Sequence, residues 1–313
     1  MPVPVAHVVR SGFIESVHHG SVVALSADGI ELAVGDVTSP MFPRSSNKPL
    51  QAVAMLRAGL ELDGELLALA CASHSGEDFH LDGVRRILGS AGLDEAALQN
   101  TPDLPIGEHE RAAWLVAGRS ASSLAQNCSG KHAGMLAACI AAGWDTGSYL
   151  APEHPLQQLM AETLEDLAGE RVSAVGVDGC GAPVMALSLT GLARAFGALA
   201  VAKPSTQEGA VAAAMRAHPL WLGGTGRDVS ALVAGVPGLI AKDGAEGVYA
   251  AALPDGRAVA LKIADGGQRA RPVVMVAALR ALGVEADVLD QLAEAPVLGH
   301  GRPVGAVRAL PLR

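Results

Sequence analysis

The chain has 313 residues, half of them hydrophobic and only 3% aromatic, so its core must be packed from small aliphatic side chains separated by tight turns. A formal net charge of -9 argues against nucleic-acid phosphates as partners, which need clustered Lys and Arg, and points to a small molecule. Four cysteines, Cys71, Cys128, Cys139 and Cys180, are too few for a disulfide framework in a chain of this size and fit a reducing cytosol.

The N-terminal segment MPVPVAHVVRSGF has no charged stretch followed by a long apolar core, so no signal peptide is expected and the protein is read as cytoplasmic. The first forty residues then alternate apolar segments with turn signals, AHVVRSGFIES, GSVVALSADG and IELAVGD, and Ala27-Asp28-Gly29 predicts a turn between antiparallel strands. From 49 to about 235 apolar residues recur at three-to-four spacing, which predicts helices. The apolar stretch 182–202 approaches membrane-spanning length, but it contains Ser188, Thr190 and Arg194 and reads as a buried helix of a soluble domain. Strand character returns in GLIAKDG, GVYAAALPDG and AVALKIADGG, with a hairpin turn at Pro254-Asp255-Gly256, and helices are expected at about 268–283 and 286–294. This order predicts a mixed α/β (α+β) fold: one domain, with a sheet lobe from about 1–48 and 236–313 and a helical lobe over about 49–235.

Five segments carry residues able to do chemistry. In PRSSNKPLQ, Pro49 marks the first turn of a helix, so Ser45 lies at or beside its cap, and Lys48, three residues on, can direct its amine back at the Ser45 hydroxyl. A lysine with a pKa lowered by burial can serve as the base that makes such a serine nucleophilic. The bland reading is a Ser cap beside a solvated Lys, with Ser46 available for either role. In CASHSGEDFH, Ser73 is a second candidate hydroxyl, while Ser75 or Asp78 can simply cap the next helix. In NCSGKH and GVDGCGAP, Cys128 and Cys180 sit beside glycine and polar residues and are better placed for chemistry than Cys139 amid alanines. Two cysteines do not complete a zinc site, and no CxxC or HExxH is present. In ALKIADGG, Lys262 interrupts an apolar strand, which marks either a sheet edge or a function.

Taken in order, VVRSGFIESVHHGSVV, RSSNKPLQ, ASHSGE, NCSGKHAGML, VDGCGAP, AKDGAEGVYA and LKIADGG resemble the L-asparaginase II family of the Rhizobium etli type across essentially the whole chain. The resemblance implies a fold related to serine β-lactamases and serine-dependent glutaminases, L-asparagine hydrolysis, and a homodimer. It implies two Ser-Lys pairs, Ser45 with Lys48 and Ser73 with Lys262, and a zinc ion held by Cys128, Lys131 and Cys180, with Asp178 close by. Asp178, Arg44, His74 and Asn127 become candidates for the substrate's α-amino and α-carboxylate groups, and backbone N–H groups near Ser45 become candidates for the oxyanion. Three competing expectations stand beside this one. Glutamine differs from asparagine by a single methylene. A β-lactamase-like acyl transferase would bring Ser-Asp-Asn and Lys-Thr-Gly elements, which the chain lacks. A zinc-stabilised amino-acid-binding protein would bind without turnover.

Overall fold

A computed structural model describes residues 1–312. Strands β1 (Val3–Arg10), β2 (Phe13–Ser26) and β3 (Gly29–Val34) open the chain, with the turn at Ala27-Asp28 joining β2 to β3. Helices α1 (Lys48–Arg57), α2 (Gly64–Ala70), α3 (Asp78–Ser90), α4 (Glu108–Val116), α5 (Ser129–Ala142) and α6 (Pro155–Ala168) follow. A small hairpin, β4 (Val175–Val177) with β5 (Pro183–Met185), precedes α7 (Leu189–Val201), α8 (Gln207–Ala217), α9 (Pro219–Leu222) and α10 (Asp228–Gly235). Then come β6 (Ile240–Asp243), β7 (Val248–Ala252), β8 (Ala258–Ile263), α11 (Arg271–Ala281), α12 (Asp287–Leu292), β9 (Glu294–Gly299) and β10 (Arg302–Ala309).

Strands from both ends of the chain form one antiparallel sheet in the order β6-β7-β8-β2-β1-β10-β9, with β3 added beside β2. The long β2 makes this possible: its first half pairs with β1, while residues from Gly20 onward pair with β8. The C-terminal hairpin β9–β10 is absent from the sequence reading, which ends in helix. Pro296 and Pro303 interrupt its strand pattern, and proline is tolerated there because β9 is an edge strand and β10 carries a bulge beside Pro303. The stretch 182–202 resolves into β5 and the buried helix α7, and among the described residues no helix is long and apolar enough to cross a membrane.

Small residues let the elements approach closely. A Cβ at Gly130 would stand 2.5 Å from the Leu69 carbonyl oxygen, so glycine there lets the start of α5 seat against the end of α2. That contact brings residues 127–132 against the segment 71–77, where the candidate serine Ser73 lies.

Candidate active site

The turn before α1 is a single 3-10 turn over Arg44–Asn47, and Pro49 occupies the second position of the helix proper. Arg44 has φ +51, the left-handed region that a non-glycine residue enters at a cost of about 1–3 kcal/mol. It is held there by Asp178, whose Oδ1 accepts from Arg44 Nε at 2.7 Å. Ser45 is half-buried and lines a cavity of about 950 Å³ that Ser73 and Asn127 also line.

Ser73 is fixed by its backbone. The segment 73–75 is bonded on both sides: Ser73 N–H donates to Leu222 O, His74 N–H to Asn127 O and Ser75 N–H to Gly223 O. Lys48 is 1% exposed, and its amine donates to Ala72 O at 2.5 Å and to Ser73 Oγ at 3.1 Å. The hydrogen bonds of Lys48 therefore run to the Ser73 segment and not to Ser45. A buried ammonium must satisfy its donors, and the carbonyl at the end of α2 is a buried acceptor within its reach.

The hydrogen bonds in the structure run differently from both expected pairs. Ser73 is bonded to Lys48, whereas Lys262 Nζ donates to the Glu246 carbonyl at 2.8 Å. The register explains the difference. Lys262 pairs with Ser21 and Val248 on β8, two strands in from the edge strand β6, or about 10 Å at the usual strand spacing. On β6 itself stands Lys242, fully buried and missed by the sequence reading although AKDG carries the same signal, a lysine in an apolar strand, that singled out Lys262. Burial holds the Lys242 ammonium down at about 8, against the opposing pull of the Asp243 carboxylate, which accepts from it at 2.5 Å.

Asp243 is the hub of a charged cluster on the cavity wall. Its Oδ2 lies 3.0 Å from Arg227 Nη2 and 3.3 Å from Arg271 Nη2, and Arg271 also reaches Asp228 at 3.3 Å. Burial would raise the Asp243 pKa, but Lys242, Arg271 and Arg227 together hold it far below the usual carboxylate range. Arg227, Asp243 and Arg271 line the same cavity as Ser45 and Ser73. No sequence signal separated these arginines from ordinary surface charges.

A second cluster lies behind Arg44. Cys180, in the β4–β5 hairpin, receives a hydrogen bond from Lys131 Nζ at 3.3 Å, and Cys128 at the start of α5 donates to Asn127 Oδ1 at 2.9 Å. Contact with the Cys180 thiol is the largest influence on Cys128, drawing its pKa well below the usual thiol value, while the same contact and burial push that of Cys180 up. Burial opposes ionisation of Asp178, but Lys131 and Arg44 overcome it and lower its pKa. Among the described residues no group of three or more His, Cys, Asp or Glu is placed to hold a metal ion. Two thiols and an amine are donors of the kind zinc accepts, and of these Lys131 and Cys180 lie 3.3 Å apart.

The other expected substrate contacts separate. Asn127 lines the cavity. Arg44 and Asp178 are bonded to each other, and His74 is fully buried with Nε2 2.8 Å from Ser129 Oγ, which removes it from the substrate. Burial also pushes the His74 pKa well below the ordinary histidine value, so the ring is neutral. The Ser46 N–H, one expected oxyanion donor, is spent on the Pro43 carbonyl at 3.1 Å.

Sequence comparison decides the family: the model for L-asparaginase II matches residues 6–309. The chain belongs to the L-asparaginase II family. No curated protein matches it in sequence. Solved structures similar to it include Mglu in its native form (13% identity, 85% of this chain and 61% of that chain, TM-score 0.47). A β-lactamase from Mycobacterium bovis is 12% identical over 83% of this chain and 94% of that chain, with a TM-score of 0.46. A probable glutaminase from Bacillus subtilis is 13% identical over 80% and 82%, with a TM-score of 0.36. This chain thus spans about three fifths of the Mglu chain. Within the family match fall all the clustered residues described above, from Arg44 to Arg271.

Proposed function

We propose that this member of the L-asparaginase II family is an amidohydrolase that converts L-asparagine to L-aspartate and ammonia through an acyl-enzyme on Ser45. The observation that carries the reading is the buried Lys48 amine on Ser73 Oγ, in the wall of the cavity that Ser45 also lines. Ser45 is the more exposed of the two hydroxyls, while Ser73 is committed to Lys48, which favours attack by Ser45 with Ser73 as a proton relay.

Lys48 is the final proton acceptor of the relay. The Ser45 oxygen bonds to the amide carbon while its proton passes to Ser73 and the Ser73 proton to Lys48. The carbon–nitrogen bond then breaks, and nitrogen leaves as ammonia after taking that proton. Water repeats the sequence on the ester and frees aspartate and Ser45. The N-terminal end of α1 adds a positive field that favours the developing oxyanion.

Cys128, Lys131 and Cys180 would hold a zinc ion, with water as the fourth ligand. Bound there, zinc would polarise a carbonyl or acidify its water. The protein's own contribution is the Asp178–Arg44 ion pair, which ties this cluster to the turn that presents Ser45.

The test is ammonia release from L-asparagine and L-glutamine by wild type, Ser45→Ala and Ser73→Ala, with acid-quenched protein analysed by mass spectrometry. An aspartyl ester on the Ser45 peptide, lost in Ser45→Ala and formed more slowly in Ser73→Ala, is the expected result. Release from neither amide by folded wild-type protein removes the amidohydrolase reading, and an ester on Ser73 reverses the serine roles. Faster release from glutamine replaces the substrate, since the extra methylene is worth only about 1–3 kcal/mol. Metal analysis of wild type beside Cys180→Ser tests the zinc assignment: equal, near-zero zinc in both would discard it.

A further inference from the structure

We propose that Arg227 is the specificity-determining residue that takes the substrate's α-carboxylate, with Arg271 and Asp243 as the fixed frame that aims it. The inference rests on the amidohydrolase reading of the same cavity and names the substrate class that the cavity selects: amides that carry a free carboxylate.

Charge on the wall is unbalanced. Three cations, Lys242, Arg227 and Arg271, share two carboxylates, Asp243 and Asp228. Within this cluster the cations outnumber the carboxylates by one, which leaves guanidinium donors for an anion even though acidic side chains line other parts of the cavity.

The two arginines are not equivalent. Arg271 is committed: Nη2 reaches Asp228 and Asp243, Nη1 donates to Gly244 O and to Gln268, and the guanidinium lies over the Tyr249 ring at 5.1 Å. Only its Nε lacks a partner, although the side chain is 94% buried and lines the cavity. Arg227 is the opposite case. Its side chain is 23% exposed, and its one hydrogen bond among the described residues is from Nη2 to Asp243 at 3.0 Å. Its remaining guanidinium donors are free for a ligand, and a planar guanidinium presents paired donors that match a carboxylate. Asp243 orients it without using it up. Glu77, Glu108 and Glu110 line the same cavity, so a zwitterionic amino acid meets both signs of charge there.

The test compares L-asparagine with its α-methyl ester, which keeps the side-chain amide and the amine but loses the carboxylate charge. Ammonia release is measured for wild type, Arg227→Lys and Arg227→Gln. Wild type should prefer asparagine in kcat/KM. In Arg227→Gln that preference should fall by about ten- to a hundredfold, the range that a charge-assisted hydrogen bond supplies, mainly through KM. Arg227→Lys should recover part of it, because charge returns without the fork. Equal losses on both substrates would mean a structural role and overturn the proposal, as would an unchanged preference. If wild type releases ammonia from neither compound, the amidohydrolase reading fails by itself. Calorimetric titration with L-aspartate then decides the anion site: tenfold weaker binding to Arg227→Gln supports it, and equal or absent binding overturns it.

Discussion

Replacing Gly244 with alanine probes how closely β6 is fitted to the turn that carries Ser45. A Cβ at Gly244 would stand 2.8 Å from the Pro43 carbonyl oxygen, 2.8 Å from Ser46 Oγ and 3.2 Å from Ser46 N, where ordinary contact begins at 3.4 Å. Something must therefore move by roughly 0.6 Å. The strand side is held, because the Gly244 N–H donates to Val248 O at 2.8 Å and the Gly244 carbonyl accepts from Arg271 at 3.1 Å. The displacement thus falls on residues 43–46. Overpacking of this kind costs about 1–3 kcal/mol of stability, and a shift of about 1 Å in a reacting group can cost on the order of a hundredfold in rate. For Gly244→Ala we expect a melting temperature several degrees lower, with a fall in kcat on the order of tenfold and a smaller change in KM. Ammonia-release kinetics and thermal melts on the purified variant check this. A kcat within twofold of wild type and an unchanged melt would refute the claim that this contact sets the position of Ser45.

Gly89→Ala is the matched control: it lies in the exposed final turn of α3 with nothing within 4 Å of the added Cβ, so it should gain about 0.5–1 kcal/mol in urea unfolding without change in kcat. Phe196→Ala, in the fully buried face of α7, should lose about 3–5 kcal/mol by the same measurement, and a loss under 1 kcal/mol would show that this face is loosely packed. Lys242 predicts a pH dependence of stability. Its folded pKa of about 8 lies below the ordinary lysine value of 10.5, so the unfolded chain binds the extra proton between those values and stability rises with pH across that window. The cost of burying the charge is in full force below about pH 8 and gone above about 10.5. Relative to Lys242→Met, wild type should therefore gain on the order of 3 kcal/mol between pH 7 and pH 10.5, and a constant difference would place the lysine's titration elsewhere.

Much of this architecture can be read in the chain itself. Alternating apolar residues and the Ala27-Asp28-Gly29 and Pro254-Asp255-Gly256 turns place β1–β3 and β6–β8, because strand pairing across a short turn is a local property. Pro49 likewise marks the start of α1 beside Ser45. The edge hairpin β9–β10 is not legible, since its prolines and glycines obscure the alternation and only the exposed edge of the sheet makes them acceptable.

At the site, the residue types announce themselves while their partners do not. Ser45, Lys48, Ser73, Cys128, Lys131 and Cys180 stand out as reactive groups in turns and helix starts. Which hydroxyl meets which amine is set by burial and by contacts between segments far apart in sequence. Lys48 reaches Ser73 because the fold buries its amine beside the Ala72 carbonyl, and Lys262 turns to Glu246 because its strand lies two places from the sheet edge. Arg227, Lys242, Asp243 and Arg271 become one charged wall only when α10, β6 and α11 are packed together. Local sequence specifies chemistry and backbone pattern, which depend on neighbours along the chain; the pairing of charges depends on distances across it, and those exist only in the folded protein.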